Sequence, residues 1–243
     1  MNETAQENGL LPSGFEDLLP PDAENEYHAI SRLMTVFAGY GYARIKPPLA
    51  EFEESLLASN LGTALSHDTF RVMDPFSHRM MALRSDITAQ IARIATSRFP
   101  ADLRPLRLTY ANDVIRTRAS QERTLRQFTQ VGCEMIGSDT AQSDIEMVVV
   151  ALCGLSALAV KTISVDFALP RLVDTIQAAY PLSKTDRSAL QTCLKTRNID
   201  LLETLENREA AELFRTLLSL AGPAANILPK LEQLEIPKIT PNP

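Results

Sequence analysis

PLRLTYANDVIR, residues 105–116, and LRQFTQVGCEMIG, residues 125–137, decide the fold class of this chain. In the first, Leu106, Leu108 and Tyr110 alternate with Arg107 and Thr109. In the second, Val131, Cys133 and Met135 alternate with Gln130, Gly132 and Glu134. A period of two marks a strand, and an arginine-rich loop joins the two runs, so a long antiparallel pair is expected. Upstream, Asp86 is a candidate cap for a helix marked by Ile87, Ile91 and Ile94 that runs to about Arg98. TFRVMD from Thr69 and RMMALR from Arg79 read as a hairpin turned at Pro75 and Ser77. YARIKPP reads as a short strand stopped by Pro47 and Pro48, which lack an N–H. Before it, Tyr27, Ile30, Met34 and Phe37 line one face of a helix capped by Asp22 and ending near Gly39 and Gly41. Downstream, Ile145, Val148, Val149, Leu152 and Leu155 form the apolar stripe of an amphipathic helix, and TISVDFA from Thr162 reads as a buried strand. Beyond Pro170 the pattern is helical throughout. The expected fold is α+β, an antiparallel sheet with helices packed on one face. It comprises a flexible tail at 1–10, a core at 11–169 and a helical appendage at 170–243.

Composition narrows the function. With 243 residues, 45% of them hydrophobic, the chain can bury a full core. A formal charge of −6 disfavours nucleic acid, because the surface gains nothing from counterion release. Cys133, Cys153 and Cys193 are odd in number and unpaired in spacing, which fits neither a disulfide framework nor a zinc site and points to a reducing cytoplasm. No apolar run approaches a membrane span, and MNETAQENGL is not a secretory leader.

Chemistry-bearing residues concentrate around the strand pair. Arg104, Arg107, Arg116, Arg118, Arg123 and Arg126 face only Asp113 and Glu122, a local excess of positive charge in an acidic chain. Arginine forks suit carboxylate and phosphate, so Arg118, Arg123 and Arg126 are candidate contacts for an anion or an acidic partner; the competing reading is a solvated loop with surface ion pairs. Strand periodicity puts Arg126, Phe128, Gln130, Gly132 and Glu134 on one face. Gly132 leaves a hole there, flanked by an amide and a carboxylate that can receive an ammonium, unless the face simply opens to water. Asp86 and Thr88 stand at a strand-to-helix handover, where a helix cap is the ordinary role of Asp. His28, His67 and His78 lack metal-ligand spacing, and no phosphate or dinucleotide glycine pattern occurs. No metal, cofactor or catalytic constellation is expected.

Over roughly residues 10–170 these segments resemble the catalytic core of histidyl-tRNA synthetase, a class II aminoacyl-tRNA synthetase. GFEDLLP (14–20) is similar to the family's opening motif, YGYARIKPPLAE (40–51) to motif 1, and ALRSDITA (82–89) to the segment that contacts the amino acid. LTYANDVIRTRASQERTLRQFTQVGCEMIG (108–137) resembles motif 2, with its central arginine at Arg116. The resemblance implies a histidine pocket of Asp86, Thr88, Arg116, Gln130 and Glu134. The carboxylates would take the ammonium, Arg116 the carboxylate, and Gln130 a neutral group. It also exposes departures. Where the family has Pro-Glu-Gly-Thr this chain has Ser85 to Thr88, and the acid that reads adenine is replaced by Arg118, which has donors and no acceptor. Thr124 replaces a further arginine, and neither motif 3 nor an anticodon-binding domain follows, so the core is expected to be incomplete at its C-terminal end. The combination is similar to the regulatory subunits of ATP phosphoribosyltransferase, synthetase paralogues without aminoacylation activity. That likeness implies a homodimer within a hetero-octamer containing the short-form catalytic subunit, with histidine as feedback effector at this pocket or at a subunit interface. The alternative it leaves open is a divergent or truncated histidyl-tRNA synthetase.

Overall fold

A computed structural model describes residues 11–58, 65–119, 123–167, 170–180, 182–220 and 222–234; the tail at 1–10 and the terminal IPKITPNP lie outside them. The chain divides into two compact units, Met1–Ile163 and Ser164–Pro243.

The first unit is organised by β5 (Leu106–Ile115) and β6 (Gln127–Ile136), which pair antiparallel over their full length, with Leu106 opposite Ile136, Tyr110 opposite Gly132 and Ile115 opposite Gln127. The short β1 (Ala43–Arg44) adds to the other edge of β5 in parallel, so the sheet is mixed, in the order β1-β5-β6. Helix α1 spans Asp22–Gly39; Asp22 is its first residue, and the cap position belongs to Pro21 with no side-chain cap bond. The acid sits in the first turn, where the helix dipole favours it. A second sheet has the order β2-β4-β3, from β2 (Ala50–Phe52), β3 (Arg71–Met73) and β4 (Met80–Leu83). The β3–β4 hairpin turns at Asp74, whose carboxylate accepts from the Phe76 and Ser77 N–H groups at 3.2 and 3.1 Å. The β2 strand had no clear sequence signal, because Pro47 and Pro48 and the acids after it mask a three-residue run. A short helix α2 (Glu53–Leu56) follows β2.

Helices cover both faces of the β5–β6 pair, not one. Helix α3 (Thr88–Ser97) packs Ile91 and Ala95, with the preceding Ile87, against Leu106, Leu108, Tyr110 and Val114. On the opposite face, Val131, Cys133 and Met135 pack with Phe37 of α1, Tyr42, and Val150 of helix α4 (Ala141–Ala157). β5 tolerates this because Thr109 and Ala111, on its second face, are small and are buried as well; the Thr109 hydroxyl donates to the Gly132 carbonyl at 2.8 Å instead of needing water.

Three local expectations are corrected. In α4 the buried positions are Val150 and Gly154, with Leu33 and Phe37 against the glycine, while Ile145 is 62% exposed and Val149 and Leu155 are also exposed. The helix is apolar on more than one side, so hydropathy alone could not choose the inward face; Glu146 decides it, because Arg107 on β5 takes its carboxylate with two bonds of 2.8 Å. TISVDFA forms no strand among its described residues, with Phe167 74% exposed. Tyr27 faces outward on α1.

The Arg107 bonds hold the Glu146 carboxyl below the usual carboxylate range, assisted by the Tyr42 hydroxyl. A depressed folded-state value means that this contribution is complete above the ordinary value and is lost as pH falls through the depressed one. The stability gap between the wild type and Glu146→Gln is therefore expected to narrow from about pH 6 to about pH 3. Thermal melts across that range check it, and a gap of constant size would contradict it.

The second unit is helical: α5 (Pro170–Ala179), α6 (Lys184–Thr196), a 3-10 turn (Ile199–Thr204), α7 (Arg208–Ser219) and α8 (Ala224–Glu232). Ile176, Leu190, Cys193, Leu202, Leu205 and Phe214 form its buried centre. Ser183 and Asn207 cap α6 and α7 by accepting the Asp186 and Ala210 N–H groups. The buried Asp186 accepts the Glu206 N–H at 3.3 Å.

Candidate functional site

The site lies where the chain leaves β4 and enters α3, over one face of β5 and β6. Arg84, at the end of β4, fixes that crossing. Its backbone bonds to the Leu49 carbonyl and the Ile115 N–H, and its buried guanidinium donates to the carbonyls of Asp113 (2.6 Å), Pro47 (2.9 Å) and Pro48 (3.2 Å). Burial pulls this guanidinium below its ordinary pKa range, with Asp113 and Glu51 opposing the shift. Three carbonyls, not a carboxylate partner, are what satisfy its donors.

Asp86, Thr88, Gln130 and Glu134 follow in one connected network. Asp86 Oδ1 accepts the Thr88 N–H at 2.8 Å, and its other oxygen accepts from the Gln130 amide nitrogen at 3.2 Å. The Gln130 oxygen in turn accepts the Ile87 N–H at 3.0 Å. The Thr88 hydroxyl donates to Glu134 Oε1 at 2.9 Å. Asp86 thus does two things, shaping the entry to α3 and holding Gln130. Arg116, at the end of β5, donates to the Ser85 carbonyl at 3.2 Å and lies 5.3 Å from the centre of the Phe128 ring. The structure therefore brings four of the five candidate residues into direct contact and sets the fifth beside the same turn.

The hole expected at Gly132 is filled. Tyr110, opposite Gly132 in the register and only 3% exposed, lays its ring there: a Cβ on Gly132 would stand 2.6 Å from the Tyr110 hydroxyl oxygen and 2.7 Å from Cζ. That hydroxyl donates to Glu134 Oε1 at 3.2 Å. Burial pushes the Tyr110 hydroxyl well above its ordinary value, so it remains a donor. Burial also raises the Glu134 carboxyl, with the Thr88 and Tyr110 hydroxyls opposing and the Asp86 charge assisting. Sequence reading placed Tyr110 only among the apolar positions of β5. The signal that finds it is the hairpin register, which sets the largest residue of that face opposite the smallest.

The remaining arginines divide by role. Arg104 donates to the carbonyls of Ala95, Pro100 and Leu103 around the end of α3. Arg126 pins the segment before α1 through the Ser13 carbonyl and Gly14, and its guanidinium lies near the rings of Phe15 and Phe70. Arg123 stacks 3.7 Å from the centre of Phe128, and Arg118 is exposed. A separate cleft of about 480 Å³ runs between Pro48, Phe52, Met81 and Arg93, the last paired with the largely buried Glu51. Among the described residues no group of three or more His, Cys, Asp or Glu can hold a metal ion. Chemically the network offers two carboxylates, an amide and hydroxyls at a helix N-terminus, which suits a small polar cation-bearing ligand.

A sequence model of the histidyl-tRNA synthetase family matches residues 14–240. The chain belongs to the histidyl-tRNA synthetase family. Within this family it is 46% identical over 237 residues to an ATP phosphoribosyltransferase regulatory subunit from Paramagnetospirillum magneticum, covering 98% of this chain and 62% of that protein. It is 43% identical to the protein of the same name from Rhodospirillum centenum, over 95% of this chain and 59% of that one. The chain spans about three fifths of the length of the curated relatives it matches. Among solved structures, an ATP phosphoribosyltransferase regulatory subunit/histidyl-tRNA synthetase from Bacillus halodurans superposes with a TM-score of 0.77 at 24% identity, over 97% of this chain and 61% of that one. A histidine–tRNA ligase subunit from Alicyclobacillus acidocaldarius gives 0.64 at 23% identity, over 92% and 72%. These likenesses confirm the α+β fold of class II synthetase type expected from the sequence.

Proposed function

We propose that this chain serves as a non-catalytic regulatory subunit of ATP phosphoribosyltransferase, required by the short catalytic subunit for activity and for histidine feedback inhibition of the first step of histidine biosynthesis. The observation that carries this reading is the 42–46% identity, over 94–98% of the chain, to relatives of that name. The network geometry supports it: Asp86, Thr88, Gln130 and Glu134 are arranged to hold an amino acid, and Arg116 stands near them for its carboxylate. Binding without transformation is what a regulator needs, since an effector that distinguishes two assembly states shifts their balance by its difference in affinity. In this reading the core at 11–169 carries the histidine site and the helical part at 170–243 is an appendage. The assembly is a cytoplasmic hetero-octamer of homodimers with the catalytic glycosyltransferase subunit, and the exposed Arg118 faces an acidic partner surface.

The expected result is that the intact protein, mixed with a short-form catalytic subunit, raises its rate and makes it histidine-sensitive. An unchanged rate overturns the proposal. The second reading, histidine activation by a divergent synthetase, draws on the family model itself. It requires histidine-dependent ATP–pyrophosphate exchange. Arg118, standing where the resemblance implies an adenine-reading acid, predicts that none occurs.

A further inference from the structure

Two hydroxyls from different elements meet on one oxygen of Glu134: Thr88 Oγ1 from the first turn of α3 at 2.9 Å, and Tyr110 Oη from β5 at 3.2 Å. Among the described residues none donates to the second oxygen. The Tyr110 ring has little freedom, being packed in the cluster of Ile87, Ile91 and Leu108 and seated over Gly132, where any side chain would displace it. We infer that Tyr110 is a positioning residue of the cradle, whose hydroxyl holds the Glu134 carboxylate so that one oxygen is satisfied internally and the other is presented to the cationic group of a ligand. Gly132 is the enabling half of the device, since it alone gives the hydroxyl room to reach.

The inference rests on the histidine reading only for the identity of the cation. Glu134 is faced by Asp86 from the turn before α3, Thr88 from α3 and Tyr110 from β5, with Gln130 on its own strand and the Cys133 thiol next to it on the opposite face. Both hydroxyls favour the ionised carboxylate, against burial and the Asp86 charge. Withdrawing the Tyr110 hydroxyl therefore raises the Glu134 carboxyl further and moves the acid limb of cation binding to higher pH.

Tyr110→Phe tests this in the full chain, because it keeps the buried ring and deletes only the donor. Two readouts are needed: histidine affinity by calorimetry from about pH 5 to about pH 8, and titration of the Glu134 carboxyl by carbon NMR in the ligand-free protein. The expected result is an affinity about tenfold weaker at neutral pH, an acid limb displaced upward, and a Glu134 titration displaced the same way. A merely structural role would leave both pH profiles in place. A variant that titrates Glu134 as the wild type does overturns the inference. A displaced titration in a protein that binds no histidine confirms the positioning role and overturns the histidine reading alone.

Discussion

Arg84→Met is expected to destabilise the first unit by about 3–5 kcal/mol. Arg84 is only 4% exposed, and its guanidinium ties the end of β4 to two other segments, through the carbonyls of Pro47 and Pro48 before β2 and that of Asp113 in β5. Removing it leaves the Pro47 and Asp113 carbonyls to be rehydrated or left bare, while the Pro48 carbonyl keeps the Gln90 amide at 2.9 Å, and an unpaired buried acceptor costs about 1–3 kcal/mol. Methionine keeps most of the volume, so a cavity is not the cause. Arg84→Lys is expected to recover only part of the loss, because a single ammonium cannot reproduce a fork directed at separate carbonyls. Urea unfolding followed by circular dichroism measures both. The neighbouring Ser85 carbonyl orients Arg116 and Asp86 opens the cradle, so the same variant should weaken histidine binding. A loss below about 1 kcal/mol would mean that backbone pairing at Leu49 and Ile115 suffices to hold the crossing.

Gly132→Ala is the second large effect. Its backbone is ordinary extended strand, and alanine is favoured over glycine in a strand by roughly 0.5–1 kcal/mol, so the substitution would stabilise an open site. Here the new Cβ would stand 2.6 Å from the Tyr110 hydroxyl and 3.1 Å from Cε2. The ring must leave a packed position, and overpacking of this kind costs about 1–3 kcal/mol. Displacement also breaks the bond to Glu134, so histidine affinity should fall by at least about tenfold. A double-mutant cycle isolates the cause: in a Tyr110→Ala background Gly132→Ala should become neutral or stabilising. If the alanine costs the same in both backgrounds, the contact with Tyr110 is not what makes glycine necessary.

The first prediction turns on Arg84, which the sequence reading passed over inside RMMALR, and the second on Gly132, which it read as an open hole. Alternation in 105–116 and 125–137 gave the two strands, and the period of two put Phe128, Gln130, Gly132 and Glu134 on one face, as the structure has them. The helix marked by Ile87, Ile91 and Ile94 and the β3–β4 hairpin were equally legible, because their apolar spacing is strict and their ends carry proline or turn residues. Failures occurred where spacing allows two answers. The stripe of Ile145, Val148, Val149, Leu152 and Leu155 is regular, yet α4 turns Val150 and Gly154 inward, because a glycine admits Leu33 and Phe37 and a carboxylate two turns earlier meets Arg107. Arg104 and Arg126 read as part of a basic patch, but their donors are aimed at backbone carbonyls. No one-dimensional pattern separates an arginine that faces solvent from one that closes a turn.

Asp86, Thr88, Gln130 and Glu134 came together only through the resemblance to histidyl-tRNA synthetase. The amino-acid order by itself determined the long strand pair, the helices on either side of it and which side chains share a sheet face. These follow from local periodicity and short-range chemistry, which act within a few residues. Only the tertiary structure decided that Tyr110 fills the space over Gly132 and that Arg84 binds three carbonyls. Both depend on atoms brought together from distant parts of the chain, where fit and the cost of an unmet polar group are settled by packing.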